Sequence, residues 1–226
     1  MRSFYSRHIT MIIFDLDGTL WDSSLQVAQS WNIILEEYGS KMAPETRFPQ
    51  LTADDIRSVM GMTMEEIANV LMPDLDPQLR SVIFKKCETY EVTYIGSHGG
   101  ILFPDVRETL TQLKEQGHEM AIVSNCQVGY IPAFLKSMKM DSYFCDYEEW
   151  GRTGKSKGNN IRLVMERRHC RDAVYVGDTQ KDKDAADEAG IPFIWASYGF
   201  GTVSEYAGKM EKFQDLLTVS ASIQGI

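Results

Sequence analysis

The sequence predicts an α/β protein. Its core is a Rossmann-like parallel sheet flanked by helices, interrupted by an inserted α-helical cap. Three observations carry that reading. Five short apolar runs rich in β-branched or aromatic residues stand at 11–16, 119–125, 142–147, 173–178 and 192–197. Helical patterns separate most of them, and strands alternating with helices build right-handed βαβ units around a parallel sheet. Residues 17–118, between the first and second runs, hold helical patterns and no convincing strand.

The first run, MIIFDL (11–16), reads as a buried strand. SSLQVAQSWNIILEEYG (23–39) is a helix opened by Ser23 or Ser24 and closed by Gly39. TADDIRSVMG (52–61) and TMEEIANVLM (63–72) each begin on a threonine cap, and the second stops at Pro73. PQLRSVIFKKCETYEVTYIG (77–96) is a longer helix, and GSHGG (96–100) reads as a flexible return. The insert therefore spans 23–96, and residues 1–22 with 97–226 form the core. In the core, DVRETLTQLKEQG (105–117) is amphipathic and ends in Gly117. Helical patterns follow at 131–138, 160–169 and 182–190, with a glycine-rich, lysine-bearing loop at 151–160.

Composition narrows the function. The chain has 226 residues, 43% hydrophobic and 24% charged, as expected of a globular domain with one insert. No apolar run approaches the ~18 residues of a membrane span. MRSFYSRHIT at the N-terminus lacks the apolar stretch of a secretory signal and reads as a short arm. A net charge of −9 argues against nucleic acid as a partner, since phosphate neutralisation needs clustered Lys and Arg. Cys87, Cys126, Cys145 and Cys170 form no CxxC pair, and the four histidines show no paired spacing. Four reduced thiols in a cytoplasmic protein are expected.

Ligands of open α/β sheets bind at the carboxyl ends of the strands. The first strand delivers Asp15 and Asp17 there, the second Ser124 and Asn125, and the fourth Asp178, with Asp182 one helical turn on. Asp15 and Asp17 are like charges at a buried strand end, and a cation between them would relieve the repulsion. Carboxylate oxygens suit Mg²⁺, and a hydroxyl and a lysine suit a phosphoryl group. The inventory fits phosphoryl transfer, with a carboxylate as covalent acceptor.

DLDGT, SN, a loop lysine and GDTQKD, in this order, resemble the four motifs of the haloacid dehalogenase-like hydrolases. The insert after the first motif resembles the type-1 cap of the phosphoglycolate phosphatase and β-phosphoglucomutase branch. The resemblance implies Asp15 as nucleophile and Asp17 as acid and then base, its backbone carbonyl touching the metal. It implies that Ser124, Asn125 and Lys157 bind phosphate and that Asp178 ligates Mg²⁺, with Asp182 acting directly or through water. The family often has Lys-Pro at the third motif. Here Lys157 precedes Gly158 and Lys155 stands two residues earlier; Lys157 is preferred as nearer the following helix. VMGMTMEEI corresponds to the cap loop that dips toward substrate, although a plain helix–turn–helix with Thr63 as N-cap explains it equally. Thr19 is expected to bond locally. The implied activity is a Mg²⁺-dependent phosphatase of a small phosphorylated metabolite, with a sugar phosphomutase as the alternative. The protein is expected to act as a monomer, with a homodimer as the other possibility.

Overall fold

The computed structural model describes residues 11–42 and 48–223; the N-terminal arm expected at 1–10 lies outside them. In chain order the elements begin with β1 (Met11–Phe14) and β2 (Trp21–Asp22). The insert follows as α1 (Ser24–Gly39), α2 (Ala53–Val59), α3 (Met64–Leu71) and α4 (Pro77–His98). Then come β3 (Ile101–Leu102), α5 (Val106–Glu115), β4 (Glu119–Ser124) and α6 (Tyr130–Met138). The chain continues through β5 (Asp146–Glu149), α7 (Trp150–Thr153), α8 (Lys157–Arg167), β6 (Ala173–Gly177) and α9 (Gln180–Ala189). It closes with β7 (Phe193–Ala196), β8 (Gly208–Met210) and α10 (Leu216–Ile223).

The main sheet has the order β5-β4-β1-β6-β7-β8, and every pairing in it is parallel. β1 sits in the middle. The chain builds outward from it on one side through β4 and β5, then on the other through β6, β7 and β8. The switch point therefore lies at the end of β1, where Phe14 pairs with Ile122 and Val176. All four β1 residues are fully buried, and alternate ones serve the two faces: Ile12 and Phe14 join one apolar cluster, Met11 and Ile13 the other.

The insert forms as its caps dictate. Thr52 and Thr63 each close a capping box with the acidic residue three positions on, Asp55 and Glu66. Asp76 caps α4 through the Gln78 and Leu79 amides, and Pro77 takes the first helical position.

Four expectations need correction. The two roots of the insert pair as a short antiparallel ribbon, Trp21 with Leu102 and Asp22 with Ile101. Two-residue strands are too short to show periodicity. Ser97 and His98 are helical rather than part of a loose return, because α4 runs on past Gly96 and ends at Gly99, whose φ of +69° suits a residue without Cβ. The strand read at 142–147 lies at 146–149, because Glu148 and Glu149 are buried there. Arg152 and Arg167 compensate the Glu148 charge. Lys157 belongs to α8 and not to a loop, since the Ser156 side chain accepts from the Asn159 amide and starts the helix three residues early. Among the described residues, no helix is long and apolar enough to cross a membrane.

Candidate active site

β1 ends one residue before Asp15, whose N–H still donates to Val176 O at 2.8 Å. The ladder thus holds the Asp15 backbone at the switch point while its side chain leaves the strand. Asp15 is buried, and its Oδ1 accepts from Lys157 Nζ at 3.0 Å. The same ammonium reaches Asp182 Oδ1 at 2.6 Å. Burial raises the Asp15 pKa to about 7, the Asp182 charge adds to this, and Lys157 opposes it. For Lys157, burial works against the charge, but the Asp15 and Asp182 carboxylates outweigh it and raise the pKa. Lys155, the other candidate, is exposed.

Asp178 follows β6. Its Oδ2 accepts from the Phe200 amide at 2.7 Å, whereas its Oδ1 is buried with no partner. A Cβ at Gly18, whose φ is +80°, would fall 2.3 Å from Asp178 Oδ2, so the loop after β1 can approach only as glycine. Asp182 is the third residue of α9 and closes a capping box with Thr179. Its Oδ2 accepts from the Thr179 amide at 2.9 Å and the Thr179 hydroxyl at 2.6 Å. Asp15, Asp178 and Asp182 each offer an oxygen within 4.8 Å of the others.

The Asp17 carboxylate turns away from that trio. Its Oδ1 accepts from Ser23 Oγ at 2.6 Å and Tyr130 OH at 2.9 Å. Burial raises its pKa to about 6, and the Ser23 and Tyr130 hydrogen bonds hold it from going further. Ser124 ends β4, and Asn125 follows. Both line the cavity that contains Asp15 and Asp17. The Asn125 amide is turned to the cap, donating to Gly61 O at 3.2 Å. Thr19 bonds locally through its backbone, its amide donating to Leu16 O at 3.3 Å, while its buried hydroxyl makes no hydrogen bond. Thr63 is an N-cap, while Gly61 and Met62 line the cavity. Cys126 lines it too, with its thiol pKa pushed well up by burial.

Sequence reasoning missed Tyr130, Trp31, Gln127 and Glu91. Tyr130 is 113 residues from its Asp17 partner, and no local pattern marks it. Glu91 did leave a signal. It falls in the helical series Ile83, Cys87, Glu91, Ile95, whose other members are buried and apolar.

Comparison with known proteins agrees with this geometry. A family model described as haloacid dehalogenase-like hydrolase matches residues 12–196. A phosphoglycolate phosphatase of Vibrio parahaemolyticus is 28% identical over 198 residues, covering 85% of each chain. One from Rhodobacter capsulatus is 28% identical over 224 residues, 95% of this chain and 96% of that one. A haloacid dehalogenase-like hydrolase from Bacteroides fragilis superposes with a TM-score of 0.77 at 26% identity, covering 92% of this chain and 99% of that one. The matched span runs from β1 to β7 and takes in the four insert helices and every site residue above, so the chain belongs to the haloacid dehalogenase-like hydrolases.

Proposed function

We propose that the protein is a Mg²⁺-dependent phosphatase that hydrolyses a small phosphomonoester through a phosphorylated Asp15. The observation that carries this is the pairing of two differently placed carboxyls at one strand end. Asp15 is fixed by Lys157 beside an acidic trio, and Asp17 is held apart by Ser23 and Tyr130. The names of the relatives support the same reaction class.

A divalent cation fits the trio. Asp15, Asp178 and Asp182 outnumber Lys157 by two charges, and Asp178 Oδ1 is buried without a partner. Oxygen ligands alone suit Mg²⁺. Asp15 and Asp178 would hold it, with Asp182 braced by Lys157 and Thr179. When bound, it supplies positive charge that lets a phosphate dianion approach a carboxylate.

The Asp15 carboxylate attacks phosphorus, and the bond from phosphorus to the leaving alcohol breaks. Asp17 gives that alcohol its proton. A water then attacks the phosphorus of the acyl phosphate, Asp17 takes the water proton, and the bond to Asp15 breaks. Phosphate leaves, and both carboxyls return to their starting state. An Asp17 pKa near 6 suits a group that must give and take a proton near neutral pH. Ser124 and Lys157 would hold phosphoryl oxygens. Residues 23–96 act as the lid and 1–22 with 97–226 as the core. In this structure the lid meets the core through Asn125–Gly61 and Lys181–Glu66. A cytoplasmic setting belongs to the same reading, in keeping with free Cys87 and Cys126 in the interior.

Phosphate release should be measured over a panel of small phosphoesters with MgCl₂ and with EDTA. Turnover that stops on chelation and returns with Mg²⁺ is expected. Full turnover in EDTA would overturn the proposal.

A further inference from the structure

The wall opposite Asp15 bears on what leaves with the phosphate, a question that rests on the phosphatase reading above. That wall comes from the cap: Val27 and Trp31 of α1, Ile56 and Val59 of α2, Met64 and Ile67 of α3. All six are buried. One ionisable cap side chain stands among them, Glu91 of α4. It is 3% exposed, and its Oε2 accepts from Trp31 Nε1 at 2.6 Å. An apolar residue at this point of the α4 stripe would carry no desolvation cost, whereas a carboxylate does. Burial lifts its pKa to about 8, opposed by the Gln127 amide and the Trp31 N–H. Gln127 lines the same cavity, and its Nε2 is buried without a hydrogen bond of ordinary geometry.

The charge inventory of the cavity is one-sided. Asp15, Asp17 and Glu91 line it, and no lysine, arginine or histidine does among the described residues. Nearby cations are occupied elsewhere: Arg57 bonds Asp22 and Asp54, Lys181 bonds Glu66, and Lys157 bonds Asp15 and Asp182. A leaving group that ended in a carboxylate would find no cation there to pair with. One that ended in an ammonium would displace the Glu91 proton and gain a charge partner, beside an indole and methionine sulfurs that also favour a cation. The cavity measures about 50 Å³. A water needs ~10–15 Å³ on the same measure, so the leaving group has few heavy atoms.

We propose that the cap selects the phosphomonoester of a short amino alcohol. Glu91 receives its protonated amine beside Trp31, the apolar wall receives its carbon chain, and phosphoesters of hydroxy acids such as glycolate are rejected.

The test compares O-phosphoethanolamine, n-propyl phosphate and phosphoglycolate, three esters of similar length, with p-nitrophenyl phosphate as reference, in MgCl₂ on the full chain. The amine ester should exceed phosphoglycolate in kcat/KM by about 100-fold, the worth of a charge-assisted hydrogen bond against a carboxylate left without a cation. Glu91→Gln should lower the ratio of the amine ester to the propyl ester by about 10- to 100-fold. Phosphoglycolate cleaved as well as the amine ester would overturn the proposal, as would an unchanged ratio in Glu91→Gln. If that variant does not fold, the ranking by the unmodified enzyme decides alone. Turnover of p-nitrophenyl phosphate with the wrong ranking sinks only the selectivity. No release from any of the four esters sinks the phosphatase reading and takes the selectivity with it.

Discussion

The two ends of the cavity are built on different plans. At the sheet end, Asp15, Lys157, Asp178 and Asp182 are buried in a mesh of short contacts, and each arrives from a strand end or the first turn of a helix. At the cap end, Glu91 of α4 sits among apolar side chains drawn from α1, α2 and α3. Its partner Trp31 is 60 residues away. The sheet end holds charge in fixed positions, as a reaction common to many substrates requires. The cap end shapes a space, as discrimination between substrates requires. Each sheet-end side chain is thus placed by the strand end or helix start that carries it, whereas the cap-end space exists only where four helices meet.

The sharpest break of this contrast is at Asp15. Asp15→Asn should cut turnover roughly 10⁴-fold or more, because it removes the attacking atom. It should not unfold the protein. The fold raises this carboxyl toward 7, so a neutral isostere is tolerated, and thermal melts at pH 8 should show an unchanged or higher Tm. Lys157→Met comes next. It leaves Asp15 and Asp182 buried without their cation, and removing one partner of a buried pair costs about 3–5 kcal/mol. Chemical denaturation should register that loss, and the same change at exposed Lys155 should not.

Glu91→Gln tests the cap end by stability as well as by substrate ranking. The native state holds a proton on Glu91 up to about pH 8, whereas the unfolded chain releases it near 4.5. The contribution is therefore present below pH 4.5 and fades as pH rises through 8. The variant lacks this loss, so its stability relative to the parent should grow by a few kcal/mol from pH 4.5 to 8. Parallel denaturation curves for parent and variant across that window would contradict it.

Tyr130→Phe has a smaller effect. It deletes one of the hydrogen bonds that restrain the Asp17 pKa, so that pKa should rise above about 6. The limb of the pH–rate profile assigned to Asp17 should move alkaline. The smallest effect is expected at the lid rim. Lys181 and Glu66 are about half exposed, so Lys181→Ala should cost no more than ~1 kcal/mol and should fade further in salt.

What could be read from the chain follows the same division. Asp15, Asp17 and Asp178 were legible because a buried strand and the residues after it are contiguous, so the strand end fixes where the side chains go. The choice of Lys157 over Lys155 was only half legible. Ser156 as an N-cap would have placed Lys157 on the first turn of α8, facing the carboxylates. The β5 strand misled because SYFCDY is apolar yet mostly turn, while DYEE carries the ladder with its charges compensated by arginines. β8 has three residues with only Met210 buried, too little for a pattern. The ties among Asp17, Ser23 and Tyr130 and between Trp31 and Glu91 depend on tertiary packing. No window of sequence contains both partners.

The ribbon between β2 and β3 bears on the order of folding. Phe14 must find Ile122 across more than a hundred residues. Once Asp22 and Ile101 are tied, the open chain between β1 and β4 shrinks to about a quarter. Two halvings of a loop relieve ~1.2 kcal/mol of closure entropy. Among themselves the helices between the ties pack chiefly as α1 against α4 and α2, contacts that need no strand of the main sheet. The insert would then serve as a scaffold that brings the distant halves of the sheet within reach of each other. Pulse-labelled hydrogen exchange during refolding should show protection in α1 and α4 ahead of Ile12–Phe14. Sheet amides protected first would refute that sequence of events.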